Sequence, residues 1–248
     1  MKNIILIIVL IVYSTGCKGD PGPAGPTMYG DIAGNIFLYS DNGQVLKDNS
    51  GVTITLDGRQ YSTQSLPNGT WKLSGVPAGI YDIVFSKPGY ITYKEYGVQF
   101  VGGGTLFLYY RIWLSQIPPT TIIEFKLTQS SNNTSVFAKG KISSADSLNR
   151  IIRILFSKEP FTTSATINFL FSQYVGVPAD STSFSSVFAF NEDYKTSYEL
   201  SSGSTLYALA FAAPRSGGYY YNYNPFANSY EMYTTGLVFS NSQVIIVP

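Results

Sequence analysis

Histidine does not occur in these 248 residues, and cysteine occurs once, at Cys17. Without histidine there is no Ser-His-Asp or Cys-His catalytic unit. Zinc also loses its commonest catalytic ligand. One thiol permits no internal disulfide, so stability has to come from buried cores and backbone pairing. Charge is sparse as well: Asp, Glu, Lys and Arg make up 12% of the chain, with 16 basic and 15 acidic side chains. So neutral a chain gives no electrostatic reason to expect nucleic acid or acidic lipid as a partner. Long hydrophobic runs are missing too. The run Ile4 to Val12 is far short of the ~20 residues a helix needs to cross a bilayer. Beyond it, no stretch of ten or more residues has helical apolar spacing.

The carboxylates form no catalytic constellation. Glu192 and Asp193 are adjacent, and adjacent strand residues face opposite ways. Glycoside cleavage needs two carboxyls about 5–10 Å apart across a cleft. An alternating-Asp calcium loop is absent. Gly102-Gly103-Gly104 lacks the Lys and the following helix of a phosphate loop. Neither enzymatic activity nor a metal site is expected.

What is present begins at the N-terminus. Lys2, the apolar run and the small residues Ser14-Thr15-Gly16 before Cys17 have the charged-apolar-small order of an export signal. With Cys17 at the cleavage position, this segment resembles the lipobox of bacterial lipoproteins. That resemblance implies cleavage after Gly16, a diacylglycerol on Cys17 and attachment to a membrane through the lipid. No other cofactor is expected. Loss of residues 1–16 removes Lys2 and leaves the two signs of charge equal in number. Lys18, in place of the Asp that retains many such proteins at the inner membrane, points to the outer membrane. Lys18 with Asp20 partly resembles the export tag of surface lipoproteins. Display at the cell surface is expected, with the periplasmic face as the alternative.

Residues 17–29 read as a tether. Gly19, Gly22 and Gly25 recur at every third position among prolines, too few triplets for a collagen triple helix but enough for an extended spacer. Beyond it the composition favours strands: 20 Tyr and 16 Phe stand among Val, Ile and Thr. From residue 30 onward, short alternating segments are separated by turns such as Asp41-Asn42-Gly43, Asp57-Gly58 and Asn68-Gly69. That rhythm predicts an all-β chain built of sandwiches.

Five motifs stand in order over residues 30–110: Gly34-Asn35-Ile36, Gly51-Val52-Thr53-Ile54, Asn68-Gly69-Thr70-Trp71, Val76-Pro77-Ala78-Gly79-Ile80-Tyr81 and Lys87-Pro88-Gly89-Tyr90. Together they resemble the carboxypeptidase regulatory-like domain. The resemblance implies a seven-stranded, transthyretin-like sandwich without catalytic activity. Gly79 and Gly89 are expected at turns that need positive φ. Trp71, Tyr81 and Tyr90 are expected to fill the core.

Ile117-Pro118-Pro119-Thr120 reads as a linker, since prolines end a strand and stiffen the chain. The expected organisation is therefore a signal at 1–16, a lipidated tether at 17–29, and sandwiches at 30–116 and 117–248. In the second, Gly203-Ser204-Thr205-Leu206-Tyr207 resembles the sixth strand of fibronectin type III domains. That resemblance implies an immunoglobulin-like sandwich with a tyrosine corner at Tyr207.

The candidate binding element is the aromatic segment after residue 216. Tyr219, Tyr220, Tyr221, Tyr223, Phe226, Tyr230 and Tyr233 fall between two predicted strands. Loops dense in Tyr, Asn, Ser and Gly favour recognition, because Tyr offers a large rigid face with a polar tip. The segment either binds a ligand or packs on its own sandwich. Trp113, with Tyr109, Tyr110 and Arg111, is expected to pack between the two sandwiches. The functional expectation is a non-enzymatic envelope lipoprotein that displays or braces a binding surface at the outer membrane. Two alternatives stand beside it: a carbohydrate-binding accessory of a glycan-uptake system, and an adhesin or structural subunit that joins a surface protein through sheet edges.

Overall fold

The computed structural model describes residues 26–130, 135–162, 165–215, 222–225, 227, 229–234 and 236–248. The export signal, Cys17, most of the tether and the Asn132-Asn133 turn lie outside these residues.

Among the described residues the chain is all-β apart from one short helix. Its N-terminal part builds two facing sheets. One has the order β4-β1-β7 and the other β3-β2-β5-β6, from β1 (Tyr29–Tyr39), β2 (Thr53–Leu56), β3 (Ser62–Gln64), β4 (Thr70–Pro77), β5 (Gly79–Ser86), β6 (Tyr93–Phe100) and β7 (Thr105–Ser115). Period-two alternation decides what each strand buries. In β5, Tyr81, Ile83 and Phe85 turn inward to meet Ile36, Leu38, Trp71 and Leu73 in one core. Phe85 and Trp71 meet edge to face at 5.5 Å, and burying a side chain of this size contributes about 2 kcal/mol. β1 pairs antiparallel with β4 and parallel with β7.

Two glycine expectations separate here. Gly89 has φ +79°, as a turn glycine should. Gly79 does not adopt positive φ; it opens β5, and a β-carbon there would stand 3.0 Å from the Tyr81 hydroxyl. That hydroxyl donates to the Pro77 carbonyl at 2.8 Å, four residues upstream. The tyrosine-corner bond expected at Tyr207 thus occurs at Tyr81 instead. Tyr207 is half-exposed, and its hydroxyl makes no hydrogen bond among the described residues.

The C-terminal part has three layers. The central sheet is β12-β10-β14-β17, from β10 (Arg150–Ser157), β12 (Phe171–Val177), β14 (Thr205–Ala213) and β17 (Gln243–Ile246). On one side lies β13-β9-β8, from β8 (Ile122–Gln129), β9 (Ser135–Ile142) and β13 (Ser183–Ala189). On the other side lies a small third sheet, β11-β16-β15, from β11 (Thr166–Phe169), β15 (Asn222–Asn224) and β16 (Ser229–Tyr233). The central strands are apolar on both faces for this reason. Ile152, Ile154 and Phe156 enter the first core, while Leu155, Leu209 and Phe211 enter the second.

Helix α1 (Glu192–Ser197) starts where a strand end was expected. Asn191 caps it, its side chain accepting from the Tyr194 amide at 2.9 Å. Glu192 and Asp193 occupy its first turn, where carboxylates suit the helix dipole.

The two parts are joined at several points. Ile91 enters the core formed by the third sheet. The Ile117 amide donates to the Gly89 carbonyl at 2.9 Å. Arg150 is buried and donates through Nη1 to Asp41 at 2.8 Å and Asn42 at 3.2 Å.

Candidate functional site

The third sheet positions the aromatic residues that the sequence singled out. Its register sets Phe169 opposite Tyr230, and Tyr230 opposite Tyr223. Directly opposed residues point to the same side. The three rings therefore form one row across three strands. Phe169 and Tyr230 stack with centroids 5.6 Å apart and planes at 21°. Tyr223 meets Tyr230 edge to face at 5.7 Å. The row sinks from exposed to buried along its length: Tyr223 is 51% exposed, Tyr230 is half-buried and Phe169 is buried.

This row lines a cleft of about 500 Å³. The opposite wall is the segment Ser157–Thr162, which brings Lys158, Glu159 and Phe161. Ser229 and Asn168 also line it. The cleft thus combines exposed aromatic surface with an ammonium, a carboxylate, an amide and a hydroxyl. An apolar cleft with a few polar groups at its rim is the usual form of a small-ligand site.

Tyr233 is not part of this row. It lies one position out of phase on β16, with Glu231, and turns toward β6. There the Tyr96 hydroxyl donates to the Glu231 carboxylate. Lys94 reaches Asp57 at 2.6 Å and Asp82 at 3.2 Å, with its ammonium 4.8 Å from the Tyr96 ring centroid. Burial pulls the Lys94 ammonium down, but the hydrogen bond to Asp57, the nearby Tyr233 and the bond to Asp82 together outweigh that and hold it above the ordinary lysine value. Burial, with Glu231 second, pushes the Tyr96 hydroxyl far up. Burial also raises Tyr233. Tyr233 therefore serves the junction between the two parts. Tyr219, Tyr220, Tyr221 and Phe226 lie outside the described residues.

The group around Trp113 occupies the outer face of the first sandwich. Trp113 meets Tyr39 edge-on at 6.0 Å, and Arg111 lies 5.8 Å from the Phe37 ring centroid. Tyr109 is 88% exposed, so it packs between nothing, contrary to the expected role. Tyr110 lies beside Glu95, to which the Tyr93 hydroxyl donates at 2.5 Å. Burial raises the Glu95 carboxyl, and the Tyr93 and Tyr110 hydroxyls only partly oppose it.

Sequence reasoning missed Phe169 and Phe161 as partners of the tyrosines. The signal available was the period-two phase of β16, which separates Tyr230 from Tyr233. The pairing of β11 with β16 is long-range and leaves no local mark.

No family model and no curated protein matches the chain. Among solved structures it is similar to a Bacteroides uniformis protein proposed to bind carbohydrate, at 12% identity over 90% of this chain and 100% of that one, with a TM-score of 0.30. It is also similar to a DUF3823 family protein from Parabacteroides merdae, at 16% identity over 89% of this chain and 100% of that one, with a TM-score of 0.31. A third similarity is to a chain of a type II cohesin-X-dockerin complex from Acetivibrio cellulolyticus, at 20% identity over 34% of this chain, with a TM-score of 0.29. There this chain spans 56% of the other's length. Likeness of this degree carries no argument about ligand or partner.

Proposed function

We propose that this chain is a non-enzymatic lipoprotein, held at the bacterial outer membrane by an acylated Cys17, that binds carbohydrate in the cleft between β15–β16 and the Ser157–Thr162 segment. The observation that carries the reading is the row Tyr223–Tyr230–Phe169 facing Lys158 and Glu159. Sugar rings have apolar C–H faces and polar edges. The exposed aromatic surface of Tyr223 and Tyr230 matches the former, and the charged and amide groups of the wall match the latter. The absence of histidine and of any free thiol after acylation supports a binding role rather than catalysis.

Two measurements test the reading. The mass of the N-terminal peptide of protein purified from membranes should equal Cys17 plus its acyl groups, with residues 1–16 removed. Mobility of the mature chain in gels containing polysaccharide should be retarded by at least one glycan of a panel. An unmodified Cys17 overturns the anchor, and no retardation by any glycan overturns the cleft assignment.

A second reading rests on β7. Among the described residues this eleven-residue strand forms a ladder with β1 alone, the Ile91 amide reaching only its last residue, Ser115, and it carries the outward residues Phe107, Tyr109 and Trp113. An edge of this kind suits strand addition by a protein partner. Concentration-dependent self-association or capture of a defined surface protein, lost in Tyr109→Lys, distinguishes it from glycan binding.

A further inference from the structure

Three segments meet at one pole of the first sandwich. The Ala78 amide donates to the Met28 carbonyl at 2.7 Å, and the Gly103 amide donates to the Tyr29 carbonyl at 3.0 Å. Tyr29 pairs with Pro77, and Gly79 pairs with Phe100. The start of β1, the β4–β5 turn and the β6–β7 turn are therefore neighbours. Residues 26–30, 77–80 and 101–104 contain no charged side chain. They expose Met28 (54%), Tyr29 (60%), Ile80 (68%) and Val101 (72%). Scattered exposed hydrophobics need no explanation, but an uncharged apolar cluster marks a contact surface.

The occupant is indicated by where the chain comes in. Nine residues separate Cys17 from Thr27, so even fully extended this stretch spans at most ~36 Å. The tether delivers the chain to this pole and to no other, because β1 runs away from it. Tyr29 is of the type enriched at membrane–water interfaces.

We propose that this pole is a membrane-contact surface: Met28, Tyr29, Ile80 and Val101 insert at the lipid interface and fix the orientation of the first sandwich on the bilayer. The proposal rests on the anchor reading for its biological setting. In this arrangement the tether does not merely hold the protein nearby. It seats one defined face, and the rest of the chain projects away from the lipid.

The test replaces the natural anchor, so that it does not depend on acylation. The mature chain, with Cys17 replaced by an N-terminal hexahistidine, is held on phosphatidylcholine vesicles containing a nickel-chelating lipid. A single environment-sensitive dye is placed at Val101→Cys or at Leu66→Cys. Leu66 is also exposed but lies at the opposite end of β4. Nitroxide-labelled lipids should quench the dye at residue 101 several-fold more than at residue 66. Adding Ile80→Asp should bring residue 101 down to the level of residue 66. Equal quenching at both positions overturns the proposal. So does shielding of the residue-101 dye in vesicle-free solution that grows with protein concentration, since a second copy would then cover the pole. Failure of the anchor reading shows separately, as an unmodified Cys17 in the mass of the N-terminal peptide.

Discussion

The Arg150 guanidinium donates to the Asp41 carboxylate at 2.8 Å across 109 positions of sequence. Arg150 is the first residue of β10, and Asp41 lies on the turn after β1. A second donor nitrogen of the same group meets Asp146. One side chain therefore ties the first sandwich to the three-layered part.

Removing that side chain leaves Asp41, itself mostly buried, without its cation. Breaking a buried pair from one side costs about 3 kcal/mol. Arg150→Met, which keeps the apolar stem, should lower stability by about that amount and shift the urea midpoint at unchanged slope. An unchanged midpoint would mean that the two parts are held by their apolar contacts alone.

Gly34 lies beneath Trp71. A β-carbon there would stand 2.9 Å from the indole ring, and the ring is buried against Phe85. Gly34→Ala should force the indole aside and cost on the order of 1–3 kcal/mol, as overpacking does. Gly176 is the control: a β-carbon there meets nothing within 4 Å and its φ is ordinary. Gly176→Ala should change thermal stability little. Equal effects of the two substitutions would contradict the packing described.

Glu95 gives a dependence on pH. Burial raises its carboxyl above the ordinary value of 4.5. The folded chain therefore holds the proton to higher pH than the unfolded chain does. Between the ordinary and the raised value, the folded state binds more protons, so stability falls as pH rises through that window. Glu95→Gln stays neutral and keeps an acceptor for Tyr93. The stability of the variant relative to the parent should grow from acid to neutral pH. Parallel denaturation curves at both pH values would show that Glu95 does not contribute in this way.

Much of the fold was legible in the sequence because it rests on local chemistry. Alternation in Thr53–Leu56 and in Gly79–Ser86 announces half-buried strands, and Asn68-Gly69 announces a turn. The apolar residues on both faces of Ile151–Phe156, broken only by Arg153, mark a strand covered on both faces. What covers the second face was not legible. β11, β15 and β16 are short and partly polar, and they become a sheet only by pairing residues some sixty positions apart. The candidate site was legible in part for the same reason. Tyrosine density pointed to Tyr223 and Tyr230, which do share a cleft. It also included Tyr233, which the two-residue period of β16 sends to the opposite face. Tyr230 packs on its own part of the chain while Tyr223 stays half-exposed, so the binding and self-packing expectations divide between neighbouring residues.

The most direct test of the carbohydrate cleft is a calorimetric titration of the mature chain with the glycan that retards it most in gels. Saturable binding should weaken on the order of tenfold in Tyr223→Ala and again in Tyr230→Ala, since each aromatic contact is worth about 0.5–1.5 kcal/mol. Tyr233→Phe should leave it unchanged. Binding that survives both alanine substitutions, or that is lost in Tyr233→Phe alone, would place the ligand elsewhere and contradict the account.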